Sequence, residues 1–184
     1  MKSNLYDYSE GKIPERPFLD DDCYDKSIRV NINPCTDCLI INLENKSVYL
    51  PVRKNKTGAG LWFIGGVWKA QVTAWENMTI CFNRETGLDI KGGRFIKIPF
   101  ADEDGLPPQT LWPTGRNDMH FFYSISLTED ELVKVNDNLD DVEYDKSKKL
   151  QEFTREQLVE AGVREIVIDC FDKIMKRKVR AVNS

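Results

Sequence analysis

The sequence predicts a mixed α/β (α+β) domain: short apolar runs of strand length alternate with amphipathic stretches of helical period, and the helices carry their own capping signals. Residues 38–43 and 48–52 are the clearest strands, and residues 73–84 and 163–178 the clearest helices. At 184 residues and 41% hydrophobic content, the chain is long enough to bury one core and too short for two ordinary domains.

The elements follow in order. Residues 1–27 are polar, include the acidic run Asp20, Asp21 and Asp22, and read as an arm ahead of one domain over residues 28–184. The apolar runs 38–43 and 48–52 flank Glu44, Asn45, Lys46 and Ser47, which predicts a β-hairpin. A helix begins at Thr73, where Glu76 three residues later completes a capping box, and it stops at Gly87. Its inward stripe is Trp75, Met78 and Phe82, with Ala74 and Cys81 beside it. Glu85 continues the line of Cys81 by one step of four and is expected at the rim of the stripe, half sheltered. Residues 94–100 read as a strand and 101–118 as a loop rich in acid, glycine and proline. His120 opens an alternating strand that ends at Thr128, Glu129, Asp130 and Glu131, a helix-start or turn signal. Thr154 and Gln157 cap a short helix that Gly162 separates from the amphipathic segment 163–178, whose basic end complements the helix dipole. There is no internal repeat and no linker.

Composition narrows the function. A charged fraction of 30% with a formal net charge of −4 describes a soluble globular chain and argues against a dedicated nucleic-acid binder, although Arg53, Lys54 and Lys56 form a local basic patch. No apolar run approaches membrane-spanning length and the first residues lack the apolar core of a signal peptide, so a cytoplasmic location is expected. Five cysteines, an odd count, read as reduced thiols. Cys35 and Cys38 form a CxxC with Cys23 upstream, which raises zinc and redox readings. Cys38, however, opens the run Leu39-Ile40-Ile41 and reads as a core thiol at a strand start, as does Cys170 in the last helix.

The most specific stretch runs from Gly60 to Leu88, where Gly66 and Gly87 stand twenty-one positions apart and Glu85, Gly87 and Leu88 close the segment. This frame resembles the Nudix box, which ends in R-E-U-x-E-E-x-G-U with U a bulky aliphatic residue. Here Val72, Ile80, Cys81 and Arg84 stand where the box has its first Glu, its Arg, its next Glu and its third Glu. Upstream, Arg53, Asn55, Gly60, Trp62, Phe63, Gly65 and Gly66 are similar to the R-x-N-x-P-x-x-G-Y-W-F-V-P-G-G run of the GDP-mannose mannosyl hydrolases, with Thr57 and Ile64 in place of its prolines. The resemblance covers about residues 30–165 and is specific over 53–88.

What the resemblance implies is an α/β/α sandwich with a mixed β-sheet and a hydrolase of nucleoside diphosphates linked to a sugar or similar group, forming a homodimer. It implies magnesium, or manganese, held by Glu85 and the Gly65 carbonyl, with Glu85 as the catalytic carboxylate. Arg53 would clamp the diphosphate, a role to weigh against a solvated charge at a strand end. His120, the only histidine, would touch substrate by the family pattern, while its place at a strand start fits a half-buried structural residue. Arg84 is expected either to disfavour a metal beside Glu85 or to replace it as a phosphate partner. The family's Gln-His pair has no counterpart in residues 137–149, where Lys146 and Ser147 align and Asp140, Asp141, Glu143 and Asp145 supply the carboxylates. Asp102, Glu103 and Asp104 are further acidic candidates, and Trp62 and Trp68 candidates for stacking on a base, with Trp62 better suited to the core. The alternative function is a noncatalytic domain that binds a nucleotide or a protein partner.

Overall fold

In the computed structural model, residues 32–54, 60–99, 109–110 and 117–182 are described. The polar arm, Cys23, Asn55, Lys56, Thr57 and the acidic run Asp102, Glu103 and Asp104 lie outside them.

The hub is β1 (Ile32–Asn42), an eleven-residue strand. Along one edge it pairs in parallel with β8 (Asn117–Ile125). Its other edge is shared. Near the end of β1, Ile40–Asn42 pair antiparallel with β2 (Ser47–Leu50), completing the hairpin that the sequence predicts. Earlier, Cys35–Cys38 pair antiparallel with β5 (Ile64–Val67), which carries the glycine pair. The edge therefore forks at Leu39. The small hairpin of β3 (Val52–Arg53) and β4 (Gly60–Leu61) bridges the fork, and β6 (Ile96–Lys97), β7 (Gln109–Thr110) and β9 (Gln151–Thr154) complete the strands. The predicted strand over 94–100 is cut short at its start: Gly92–Arg94 form a 3-10 turn, Ile96 and Lys97 pair with β8, and the Ile98 N–H adds a bond to the Phe122 carbonyl at 2.9 Å.

Helices cover both faces. Alternation along β1 sends Cys38 and Ile40 to one face, where they meet Met78, Cys81 and Phe82 of α1 (Ala74–Thr86) and Val135 of α2 (Glu129–Asn138). Leu39 and Ile41 face the other way, onto Leu158 of α3 (Arg155–Glu160) and Val167, Cys170 and Phe171 of α4 (Glu165–Val182). The result is the expected three-layered α/β/α arrangement with a mixed sheet. The same alternation decides the CxxC, since residues three apart on a strand point to opposite faces. Cys35 and Cys38 are both buried and cannot share one ion, and burial, followed by the Asp37 charge, pushes the Cys38 thiol well above its ordinary pKa.

The capping box of α1 is present as the sequence predicts, with the Thr73 amide donating to Glu76 Oε2 at 2.7 Å. Gly87 ends the helix at φ +68°, and a Cβ there would lie 2.7 Å from Asn138 Cβ, so both its conformation and its contact with the end of α2 require glycine. Met78, Cys81 and Phe82 of the inward stripe are buried as expected, and Trp75 departs from it. Trp75 is 36% exposed and touches Tyr123 edge-on, while Asn77 is buried and donates through Nδ2 to Thr36 Oγ1 at 2.8 Å.

On the rim, Arg94 reaches the capped end of α2, where its Nη2 donates to Glu131 Oε2 at 2.9 Å. The hydrogen bond from Arg94 holds the Glu131 carboxyl down at about 2. A depressed carboxyl stabilises the fold above its unfolded pKa and loses that contribution as pH falls through the folded value. Acid unfolding of Glu131→Gln should therefore lack part of the wild-type drop between about pH 4.5 and 2, worth roughly 0.2–1 kcal/mol for so exposed a pair. Urea titrations across that range would measure it.

Candidate functional site

The site is built where β1 forks. The last turn of α1 delivers Arg84 and Glu85, β5 delivers Gly65 and Gly66, β3 delivers Arg53, and the segment after α2 delivers Glu143 and Tyr144. Gly65 lies so close to β1 that a Cβ would meet the Thr36 carbonyl oxygen and sit 2.8 Å from Asp37 Oδ1. A Cβ on Gly66 would lie 3.4 Å from Arg84 Nη2 and 3.5 Å from Cys81 Sγ. Bare backbone at Gly65 is thus what lets β5 lie this close to β1, whereas a side chain at Gly66 would make only ordinary contacts with the end of α1.

Glu85 is not at a rim. It is 1% exposed, and both carboxylate oxygens are taken by the protein. Oε2 accepts from the Gly65 amide at 3.2 Å and from the Tyr144 hydroxyl, and Oε1 accepts from Arg84 Nη2 at 2.5 Å. Burial pushes the Glu85 carboxyl above the usual carboxylate range, and the hydrogen bonds from Tyr144 and Arg84 hold back part of that rise. Burial and the Glu85 charge push the Tyr144 phenol well above its ordinary value, so it stays a donor. Burial opposes the Arg84 charge, but the hydrogen bond and charge of Glu85, with Cys81 and Tyr144, together outweigh it and raise its pKa, and Arg84 is 50% exposed.

Arg53 is committed elsewhere. Its Nη2 and Nε donate to Glu143 Oε2 at 3.1 and 3.3 Å, its side chain is 19% exposed, and its backbone pairs with Tyr144. The loop is laced to β3 on both sides, by Lys54 N–H to the Glu143 carbonyl at 2.9 Å and Asp145 N–H to the Val52 carbonyl at 2.8 Å. Burial opposes the Arg53 charge, but Tyr144, Glu143, Glu85 and Asp37 outweigh it and raise its pKa.

His120 stands on the opposite face of the sheet from Glu85, on the side of Phe122 and the second core. Its Nδ1 shares a hydrogen bond with Asp37 Oδ2, its ring stacks on Phe122 at 5.5 Å, and Trp62 meets it edge-on at 6.4 Å. Its side chain is 10% exposed and that of Asp37 4%. Sequence reasoning passed over Asp37 and Tyr144. Asp37 had a signal, a carboxylate in register with Leu39 and Ile41 on a core-facing row. Tyr144 had a weaker one, as the aromatic residue among Asp140, Asp141, Glu143 and Asp145. Trp62 is buried, as its sequence context suggests.

No protein-family model matches the chain, and no curated protein is similar to it. Solved structures are. A Nudix hydrolase from Nitrosomonas europaea has a TM-score of 0.57 at 14% identity, over 80% of this chain and 91% of that one. A MutT protein from Methanosarcina mazei Go1 has a TM-score of 0.52 at 15% identity, over 83% and 98%. A MutT/Nudix family protein from Listeria innocua has a TM-score of 0.52 at 16% identity, over 82% and 96%. The chain has the Nudix fold. At these identities the likeness carries the architecture, and the chemistry rests on the residues.

Nudix hydrolases work with divalent metals, and the donor set at Glu85 does not fit one. Magnesium needs several hard oxygens. Here one carboxylate faces a guanidinium, and its lone pairs are directed at an amide, a phenol and that guanidinium. Among the described residues no group of three or more His, Cys, Asp or Glu side chains is placed to hold an ion. Glu143, one of the four loop carboxylates that the sequence offers, pairs with Arg53 through Oε2. Among the same residues no helix is long and apolar enough to cross a membrane.

Proposed function

We propose that this Nudix-fold chain binds a nucleotide or nucleotide-sugar ligand without a divalent ion at Glu85 and without hydrolysing it. The observation that carries this is the ring of three protein donors around the Glu85 carboxylate, which compete with an ion and with water for its lone pairs. Arg84 supplies the positive charge instead, half exposed beside the backbone of Gly66. The ligand's phosphates fall to Arg84 rather than Arg53, whose Nε and Nη2 are already held by Glu143 Oε2.

A hydrolase of nucleoside diphosphate-linked compounds is the second reading, in which the Asp37–His120 pair would move a proton from the far face of the sheet rather than at Glu85. A histidine set against a buried carboxylate is a common arrangement for moving a proton near neutral pH.

The test is a thermal-shift screen of the full chain against nucleotides and nucleotide sugars, with magnesium, manganese or chelator, followed by phosphate and sugar release assays on every hit. Binding to the folded state adds about 2.7 kcal/mol at a hundredfold excess over Kd. Stabilisation that persists in chelator, without release of phosphate or sugar, supports the binding reading. Magnesium-dependent turnover abolished by Glu85→Gln would replace it with the hydrolase.

A further inference from the structure

A second concave site lies across the β3–β4 hairpin. Adjacent residues of an extended strand face opposite ways. Arg53 turns toward Glu143, and Val52 turns into a cavity of about 510 Å³. That volume falls within the roughly 300–1,000 Å³ of small-molecule pockets. Its walls are Val52, Leu61 and Val163, with Gln151, Lys148 and Arg164 as polar side chains, and none of its lining residues is acidic.

Arg164 is oddly placed for a purely structural residue. It stands immediately before α4, at the helix end whose dipole opposes a cation. Its guanidinium lies 4.6 Å over the ring of Trp62, which is itself buried. An aromatic face of this kind holds the planar fork in one orientation. Lys148 reaches the same cavity from the 3-10 turn Lys146–Lys148, restrained by a loose contact with Asp145 at 3.8 Å, and is 54% exposed. Two cationic residues and an amide lining one cavity with Val52, Leu61 and Val163 are the complement of an anionic head on an apolar body.

We infer that this cavity is a binding site for a small organic oxyanion, a phosphate monoester or a carboxylate, whose charged group pairs with Arg164 and Lys148 while its apolar part rests on Val52, Leu61 and Val163. The site is separate from Glu85 and does not rest on the reading given to that centre.

Calorimetric titration of the full chain in chelator, with inorganic phosphate, phenyl phosphate and benzoate as probes, tests it. Phenyl phosphate or benzoate should bind saturably and more tightly than inorganic phosphate, and whichever of the two is preferred names the oxyanion. Arg164→Gln should weaken the better probe at least about tenfold, the loss expected for a charge-assisted pair. Lys148→Gln, at an exposed position that keeps the fold, should weaken it by roughly threefold or more, while Lys134→Gln on α2 serves as the surface-charge control and should change nothing. No saturable binding of any probe, or binding that survives both Arg164→Gln and Lys148→Gln, would overturn the assignment.

Discussion

Glu85→Ala should lower the stability of the fold by about 3 kcal/mol, because it strips the shared acceptor from two buried donors and leaves the Tyr144 hydroxyl only the Phe63 carbonyl at 3.5 Å. The Gly65 amide and the Tyr144 hydroxyl both end on Glu85 Oε2 inside the protein. Each unsatisfied donor costs about 1–3 kcal/mol. Arg84 is half exposed and can turn to water, so its loss of partner adds little. Glu85→Gln keeps an acceptor for the Gly65 amide and should lose roughly half as much. Urea unfolding of both variants measures the difference. A loss below about 1 kcal/mol for the alanine variant would mean that the donors around Glu85 find water in solution and that the carboxylate is open to other ligands.

Arg84→Glu should give a protein that magnesium and manganese stabilise more than they do the wild type. The substitution removes the guanidinium that donates to Glu85 Oε1 at 2.5 Å and sets a second carboxylate beside the first, next to Gly66. In chelator, two neighbouring carboxylates repel and the variant should be less stable than wild type by roughly 1–2 kcal/mol. Saturating cation should recover that loss and add about 2–3 kcal/mol. Thermal melts with and without each ion, together with manganese electron paramagnetic resonance, read the effect directly. Equal stabilisation of wild type and variant by magnesium would show that Arg84 does not stand in for an ion.

Much of the fold was legible because its signals are local. The capping box of Thr73 and Glu76, the stop at Gly87, and the hairpin between two apolar runs each depend on a few neighbouring residues, and all are present. The misplacements have non-local causes. Glu85 was expected to be half sheltered because a helical stripe counts only the helix, whereas its burial comes from Gly65 twenty positions earlier and Tyr144 fifty-nine later. Trp75 was expected inside, but the helix turns to bury Asn77, whose amide reaches Thr36 of β1 and accepts from the Lys69 N–H at 2.9 Å. Of the candidate site residues, Gly65, Arg84 and Glu85 come together. Arg53 stands alongside, tied to the same loop through Glu143, and His120 lies across the sheet with Asp37. Only a fold in hand shows which carboxylate a histidine or arginine has chosen.

The fork in β1 also governs how the molecule breathes. Where an edge passes from one partner strand to another, the ladder is interrupted, and the backbone on either side loses the mutual support of continuous pairing. The join is fastened instead by cross-links of different origin: the Gly65 amide on the Glu85 side chain, the Asp140 amide on the Glu85 carbonyl at 3.0 Å, and the Tyr144 amide on the Asp140 carbonyl at 2.9 Å. Local opening at the fork therefore loosens β5, the end of α1 and the segment after α2 as one cooperative unit.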